Sequence, residues 1–117
     1  RALKFIDSLV DFPELKFHRV DSSRHNYHLL VAHLTGGKRD TFIRKMAKDK
    51  KIQCVVQYYP LNRYPLYQKA GFGEACCPNA DEFFDSMVSF PFQHWLSEED
   101  FDYMLTSALE VLESMRS

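Results

Sequence analysis

Apolar residues recur at helical spacing at the start of the chain. Leu3, Ile6, Leu9 and Val10 predict a helix over roughly residues 1–11, which Pro13 stops. Leu15 to Val20 reads as a short strand and Asp21-Ser22-Ser23 as a turn. His25 to Leu34 follows, with Tyr27, Leu29 and Val31 on one face and His28, Leu30 and Ala32 on the other. That near-continuous apolar run predicts a strand buried on both sides or packed under a helix. Gly36-Gly37 breaks it. Asp40 is the expected cap of the next helix, whose inward stripe is Phe42, Ile43, Met46 and Ala47. Lysine and arginine lie opposite, and Lys48, Lys50 and Lys51 suit its C-terminal dipole.

Ile52 to Val56 reads as a further strand. Gly71-Phe72-Gly73 and Cys77-Pro78-Asn79 punctuate loops. Asp81 is expected to open a short helix with Phe83, Phe84, Met87 and Val88 inward, and Phe90-Pro91-Phe92 reads as extended. Ser97-Glu98-Glu99-Asp100 has the form of a helix start: a hydroxyl cap, then acids in the first turn. Phe101, Met104, Leu105, Ala108, Leu109, Leu112 and Met115 then make an unbroken helical stripe. This order of elements predicts one α+β two-layer domain over residues 1–117, with a short, mainly antiparallel sheet and helices packed on one face.

Between the strand at 52–56 and the next helix lies an unusual segment, Val56-Gln57-Tyr58-Tyr59-Pro60-Leu61-Asn62-Arg63-Tyr64-Pro65-Leu66-Tyr67. Two prolines this close are expected to forbid a helix here and to remove two backbone donors. Four tyrosines give flat apolar surface with hydroxyl tips, and Gln57 and Asn62 both donate and accept. Such a loop either packs on a partner or lines a ligand site. Residue chemistry alone leaves both open.

Composition sets bounds rather than a function. The chain has 117 residues, 45% hydrophobic and 26% charged. One domain of this length buries roughly two thirds of its unfolded surface. No apolar run approaches the ~20 residues needed to span a bilayer. With no secretory signal visible, a cytoplasmic protein is expected, without a membrane partner. Starting at Arg1 rather than Met, the chain reads as processed or cut from something longer. Residues 1–73 hold fourteen Lys or Arg and six Asp or Glu, whereas 74–117 hold one Arg and ten acids. The basic residues form no recognised nucleic-acid module, so no nucleic-acid partner is expected.

Cys54, Cys76 and Cys77 form no disulfide framework, and free thiols suit a reducing compartment. Of the five histidines, His18, His25, His28, His33 and His94, three fall within nine residues. On one strand His28 and His33 point to opposite faces, so no metal site is expected. Nothing positions His94 against Cys76 or Cys77 for nucleophilic catalysis.

The aromatic loop and its flanks resemble the C-terminal region of the DegT/DnrJ/EryC1/StrS family of sugar aminotransferases. The matching pieces are Tyr27-His28-Leu29-Leu30-Val31, the helix start at Arg39-Asp40, Gln57-Tyr58-Tyr59-Pro60-Leu61-Asn62 and Tyr64-Pro65-Leu66-Tyr67. Cys77-Pro78-Asn79-Ala80-Asp81, Ser89-Phe90-Pro91-Phe92 and Leu96-Ser97-Glu98-Glu99-Asp100 complete the set. Where the family often has two histidines this chain has Gln57 and Asn62, which hydrogen-bond without titrating near neutral pH.

The resemblance implies the small C-terminal domain of a pyridoxal-phosphate enzyme of the aspartate-aminotransferase fold type. Such an enzyme moves an amino group from an amino acid, usually glutamate, to a nucleotide-linked keto sugar, typically as a homodimer. The implied substrate-binding residues are Gln57, Tyr58, Asn62 and Arg63, with Tyr64 and Tyr67 beside them. Arg63 is suited to a diphosphate or carboxylate. No catalytic residue is expected here. The large N-terminal domain, with its cofactor lysine, is not in this sequence, so no cofactor binding and no catalysis are expected of these residues alone. The alternative is a free-standing, non-catalytic binding or interaction module that uses loop 56–67 as its contact surface.

Overall fold

A computed structural model of the protein describes residues 1–18, 24–72 and 75–116. The second half of the strand expected over 15–20, the turn at 21–23 and Gly73 lie outside them.

Three short strands form an antiparallel sheet in the order β1 (Leu15–Phe17), β2 (Leu30–Leu34), β3 (Met87–Phe90). Its register sets two faces. Leu30 opposes Phe90 and Ala32 opposes Val88 on one side, while Val31 opposes Ser89 and His33 opposes Met87 on the other. The first side is the core. Against it pack α1 (Ala2–Ser8), α2 (Arg39–Lys50) and α5 (Glu98–Arg116) through Phe5, Phe42, Met46, Phe101, Ala108 and Leu112, all at most 1% exposed. Phe5 stacks edge-on against Phe90 at 4.9 Å, and Phe42 meets the same ring at 5.9 Å. Each such ring buried contributes about 2–3 kcal/mol of transfer free energy. The expected α+β layer architecture is what forms.

Local signals explain the elements and the departures from expectation. In α5 the Ser97 hydroxyl accepts from the Asp100 N–H at 3.0 Å and donates to the Asp100 carboxylate at 2.7 Å, a reciprocal cap. The cap of α2 is Lys38, not Asp40; Asp40 sits in the first turn, where its charge faces the helix dipole, and pairs with Arg39. Ala47 faces solvent, and Arg39 is buried in its stead.

The strand expected from His25 begins only at Leu30. Upstream, the His25 ring accepts from the Tyr27 N–H and the Asn26 side chain accepts from the His28 N–H, both about 3 Å. These local bonds turn the chain and hold Tyr27 at φ +50°, competing with the ladder. The strand expected over 52–56 reduces to one bridge, Val55 with Ser89.

The prolines of the aromatic loop do not exclude helical turns. A 3₁₀ turn spans Leu61–Arg63, one turn labelled α3 starts at Pro65 (Pro65–Tyr67), and a wider turn spans Gln68–Phe72. Proline is tolerated at the first helical position because its missing N–H has no partner to lose there. Likewise α4 (Pro78–Ser86) opens at Pro78, ahead of Asp81. Met87 and Val88 leave the helix and belong to β3. Through Phe83 and Ser86, α4 also touches His33 on the outer face of the sheet.

Candidate functional site

The outer face of the sheet, beside Ser89, opens into a groove of about 740 Å³. Three separate segments wall it. Asn26 to Leu29 forms one side, the extended run Gln53 to Tyr58 forms the second, and Ser89 to Trp95 forms the third. The backbone pair between Val55 and Ser89 (3.0 and 2.8 Å) holds the second wall against the third.

Gln57 is seated by its N–H, which donates to the Met87 sulfur at 3.1 Å. The Gln57–Tyr58 peptide is cis. The side-chain Oε1 of Gln57 is shielded from solvent and has no hydrogen-bond partner among the described residues. Such an oxygen lacks about 1–3 kcal/mol of compensation. Tyr58 and Trp95 stand at the rim, 71% and 72% exposed. His94 stacks on Trp95 at 4.8 Å.

The groove's lining has a definite chemistry. It carries four amides (Asn26, Gln53, Gln57 and Gln93), two imidazoles (His28 and His94), Arg1, Ser89 and the rings of Tyr27, Tyr58, Phe92 and Trp95, and among the described residues no carboxylate. The Arg1 guanidinium is engaged with Glu98 and with the Leu96 carbonyl. Amides and aromatic faces together suit a ligand with hydroxyls around a ring. A groove without acids accepts a neutral or anionic one.

The six residues expected to bind substrate therefore separate. Gln57 and Tyr58 line the groove. Asn62, Arg63, Tyr64 and Tyr67 do not; they build a knot over α4. Arg63 donates to Asp81 at 2.7 Å and to Asp85 at 3.4 Å, and lies 5.4 Å from the Phe84 ring centre. Its charge is spent on carboxylates of its own chain. Asn62 donates to the Ala75 carbonyl at 3.3 Å. Tyr64 meets Tyr59 at 5.1 Å and Tyr67 at 6.2 Å, and Tyr59 packs on Phe84. Leu61, Leu66 and Phe72 remain exposed around this knot.

Sequence reading did not single out His28, Gln53, Ser89, His94 or Trp95 as site residues. A signal existed: the pieces quoted for the resemblance around Tyr27-His28, Gln57-Tyr58 and Ser89-Phe90 are the three walls. Among the described residues no group of three or more His, Cys, Asp or Glu is placed to hold a metal. His94 makes no described hydrogen bond to Cys76 or Cys77. No helix of the structure is long and apolar enough to cross a membrane.

Comparison with known proteins agrees with this architecture. The spore coat polysaccharide biosynthesis protein SpsC of Bacillus subtilis is 28% identical over 97 residues, 79% of this chain and 25% of SpsC. PseC of Helicobacter pylori, an aminotransferase involved in the biosynthesis of pseudoaminic acid, superposes with a TM-score of 0.78 at 23% identity. That match covers 97% of this chain and 31% of PseC. Spr1654 of Streptococcus pneumoniae in its PLP form superposes with a TM-score of 0.75 at 26% identity, covering 97% of this chain and 30% of Spr1654. The chain thus spans between a quarter and a third of the relatives it matches. The model of the DegT/DnrJ/EryC1/StrS aminotransferase family matches residues 2–108, nearly the whole sequence, and the chain belongs to that family.

Proposed function

We propose that this chain is the small C-terminal domain of a pyridoxal-phosphate-dependent aminotransferase that passes an amino group from an amino acid, glutamate by preference, to a nucleotide-linked keto sugar. The observation that carries the reading is the convergence of three family-like segments on one groove at the open face of the sheet. In this reading the groove is one wall of the substrate cleft. Tyr58 and Trp95 cover the apolar face of the sugar ring, and Gln53, Gln57 and Ser89 meet its hydroxyls. The wall orients the sugar and keeps water from it, and at Gln57, where a family histidine would titrate, it binds without moving a proton.

The residues present do not make a cofactor holder. Pyridoxal phosphate supplies the electron sink for amino transfer and is held on a lysine that needs a desolvated site. None of the eight lysines here is buried. Lys4 pairs with Asp102 and Lys50 with Glu110, both acids of α5, and Lys51 caps the Lys48 carbonyl. In this reading the cofactor is held by residues outside these 117, in a large domain that this groove faces, in a cytoplasmic homodimer.

The test has two parts. Amino transfer is measured with the 117 residues alone, given pyridoxal phosphate, glutamate and a nucleotide-linked keto sugar; turnover overturns the division of labour. A nucleoside-diphosphate sugar is then titrated into labelled chain. Amide shifts confined to Gln53–Tyr58 and Ser89–Trp95 support the groove, and shifts confined to the Arg63 knot reject it.

A further inference from the structure

A second cluster lies on the outer face of the sheet and does not depend on the reading above; His18 and Phe83 line a smaller pocket that meets the groove at residues 26–29. His18 directly follows β1, and His33 is in β2. Their Nε2 atoms face each other at 3.2 Å. Neither lines the groove. Phe83 of α4 packs against both rings, at 5.4 and 4.7 Å between centres, and so fixes their planes.

The tautomers follow from the neighbours. The Ser86 hydroxyl has one proton and donates it to the Glu82 carbonyl at 3.0 Å. We place the His33 proton on Nδ1, donating to the Ser86 oxygen 2.9 Å away; the opposite tautomer would take the Ser86 proton away from the Glu82 carbonyl. That leaves the lone pair of His33 on Nε2, aimed at His18. Two nitrogens bound to one tetrahedral zinc at about 2.0–2.1 Å stand roughly 3.3 Å apart. The observed 3.2 Å matches that separation, and a turn of the exposed His18 ring brings both lone pairs onto one ion. A metal-binding histidine also characteristically donates its other N–H to a fixed acceptor, the part Ser86 plays here.

We propose that His18 and His33 form a two-imidazole site for a borderline divalent transition-metal ion such as Zn²⁺ or Ni²⁺. Without metal, His18 donates its Nε2 proton to His33. When the ion binds, that proton moves to Nδ1 of exposed His18 through solvent, and both Nε2 lone pairs meet the metal. Water completes the coordination from the open side. The ion ties the end of β1 to β2, with α4 behind the pair.

The chain is titrated calorimetrically with ZnCl₂ and NiCl₂ near about pH 8, where imidazoles are neutral. One ion per chain is expected. His18→Ala should abolish binding, His25→Ala should leave it intact, and Ser86→Ala should weaken it by ~10-fold. His18 is exposed, so its replacement spares the fold. As a check on unaltered protein, substoichiometric Cu²⁺ should broaden the His18 and His33 ring signals before those of His25, His28 or His94. Absence of binding overturns the proposal, as does binding that His18→Ala does not change.

Discussion

Nη1 of Arg39 donates to the main-chain carbonyl of Phe84 at 2.8 Å. The same nitrogen reaches the Met87 carbonyl at 2.9 Å, so one buried guanidinium closes the last turn of α4 and fixes the entry to β3. These carbonyls lie where a helix end leaves acceptors unpaired. The Met87 side chain in turn accepts from the Gln57 N–H. A residue at the start of α2 thereby sets the wall of a groove it does not touch.

Replacing Arg39 with alanine leaves two acceptors without their donor. The expected cost is about 3 kcal/mol, read from urea unfolding. The Gln57 amide signal should move with it. Arg39→Lys, with a single ammonium in place of a planar fork, should recover only part of the loss. An alanine variant that unfolds at the wild-type urea midpoint would remove Arg39 from this role.

His33 provides a pH dependence. Its pKa is lowered, first by burial and then by the neighbouring imidazole of His18; Glu82 pulls the other way and Lys16 adds a smaller lowering. The sign follows from which state binds protons more readily. The unfolded chain takes up the proton near the ordinary value of 6.5, whereas the folded chain resists it. This contribution is therefore fully present above pH 6.5 and is lost as pH falls below it. Protonated His33 would also present an N–H to the N–H of His18. Thermal unfolding temperatures at a series of pH values should fall through this window more steeply for the wild type than for His33→Gln. Identical slopes would show that the pair does not couple to folding.

Much of the fold was legible, and its gaps have local causes. The final helix could be read because cap, acids and a seven-residue stripe agree. Met87 and Val88 read as helical from sequence because a short apolar run fits either period, and only pairing with His33 and Ala32 decides for a strand. The strand before Leu30 was overextended because apolar alternation says nothing of side chains that bond their own backbone, as His25 and Asn26 do. The site was half legible. Gln57 and Tyr58 stand out within the aromatic loop, but His28 and Trp95 join them only through tertiary structure, and the partners that occupy Arg63 lie on α4, 18 and 22 residues away.

The cysteines should divide by environment. Burial pushes the Cys54 thiol up to about 12, so it stays protonated and inert, while Cys76 is exposed and Cys77 half-buried. The thiolate is the reactive form. Native protein near about pH 8 should give two thiols to a disulfide reagent and release the third only in denaturant. Three thiols reacting at one rate in native protein would place Cys54 outside the core.

The last prediction sets stability against binding at Gln57. Its Oε1 is buried with no hydrogen-bond partner among the described residues. In the free chain that oxygen is a cost, so Gln57→Leu, which removes it at similar volume, should stabilise the protein by about 1 kcal/mol. If the groove takes a hydroxylated ring and the Gln57 amide turns toward it, that oxygen accepts from a ligand hydroxyl, and the leucine variant should bind a nucleoside-diphosphate sugar ~10-fold more weakly, since a lost hydrogen bond is worth about 1 kcal/mol or more. The chain's one tryptophan, Trp95 at the groove rim, reports both states. Its emission should be red-shifted and open to iodide in the free chain, and protected when ligand covers it. A gain in stability together with a loss of that protection is the signature of a polar group kept for function. A leucine variant that is less stable, or that binds as well as the wild type, would assign Gln57 to packing alone.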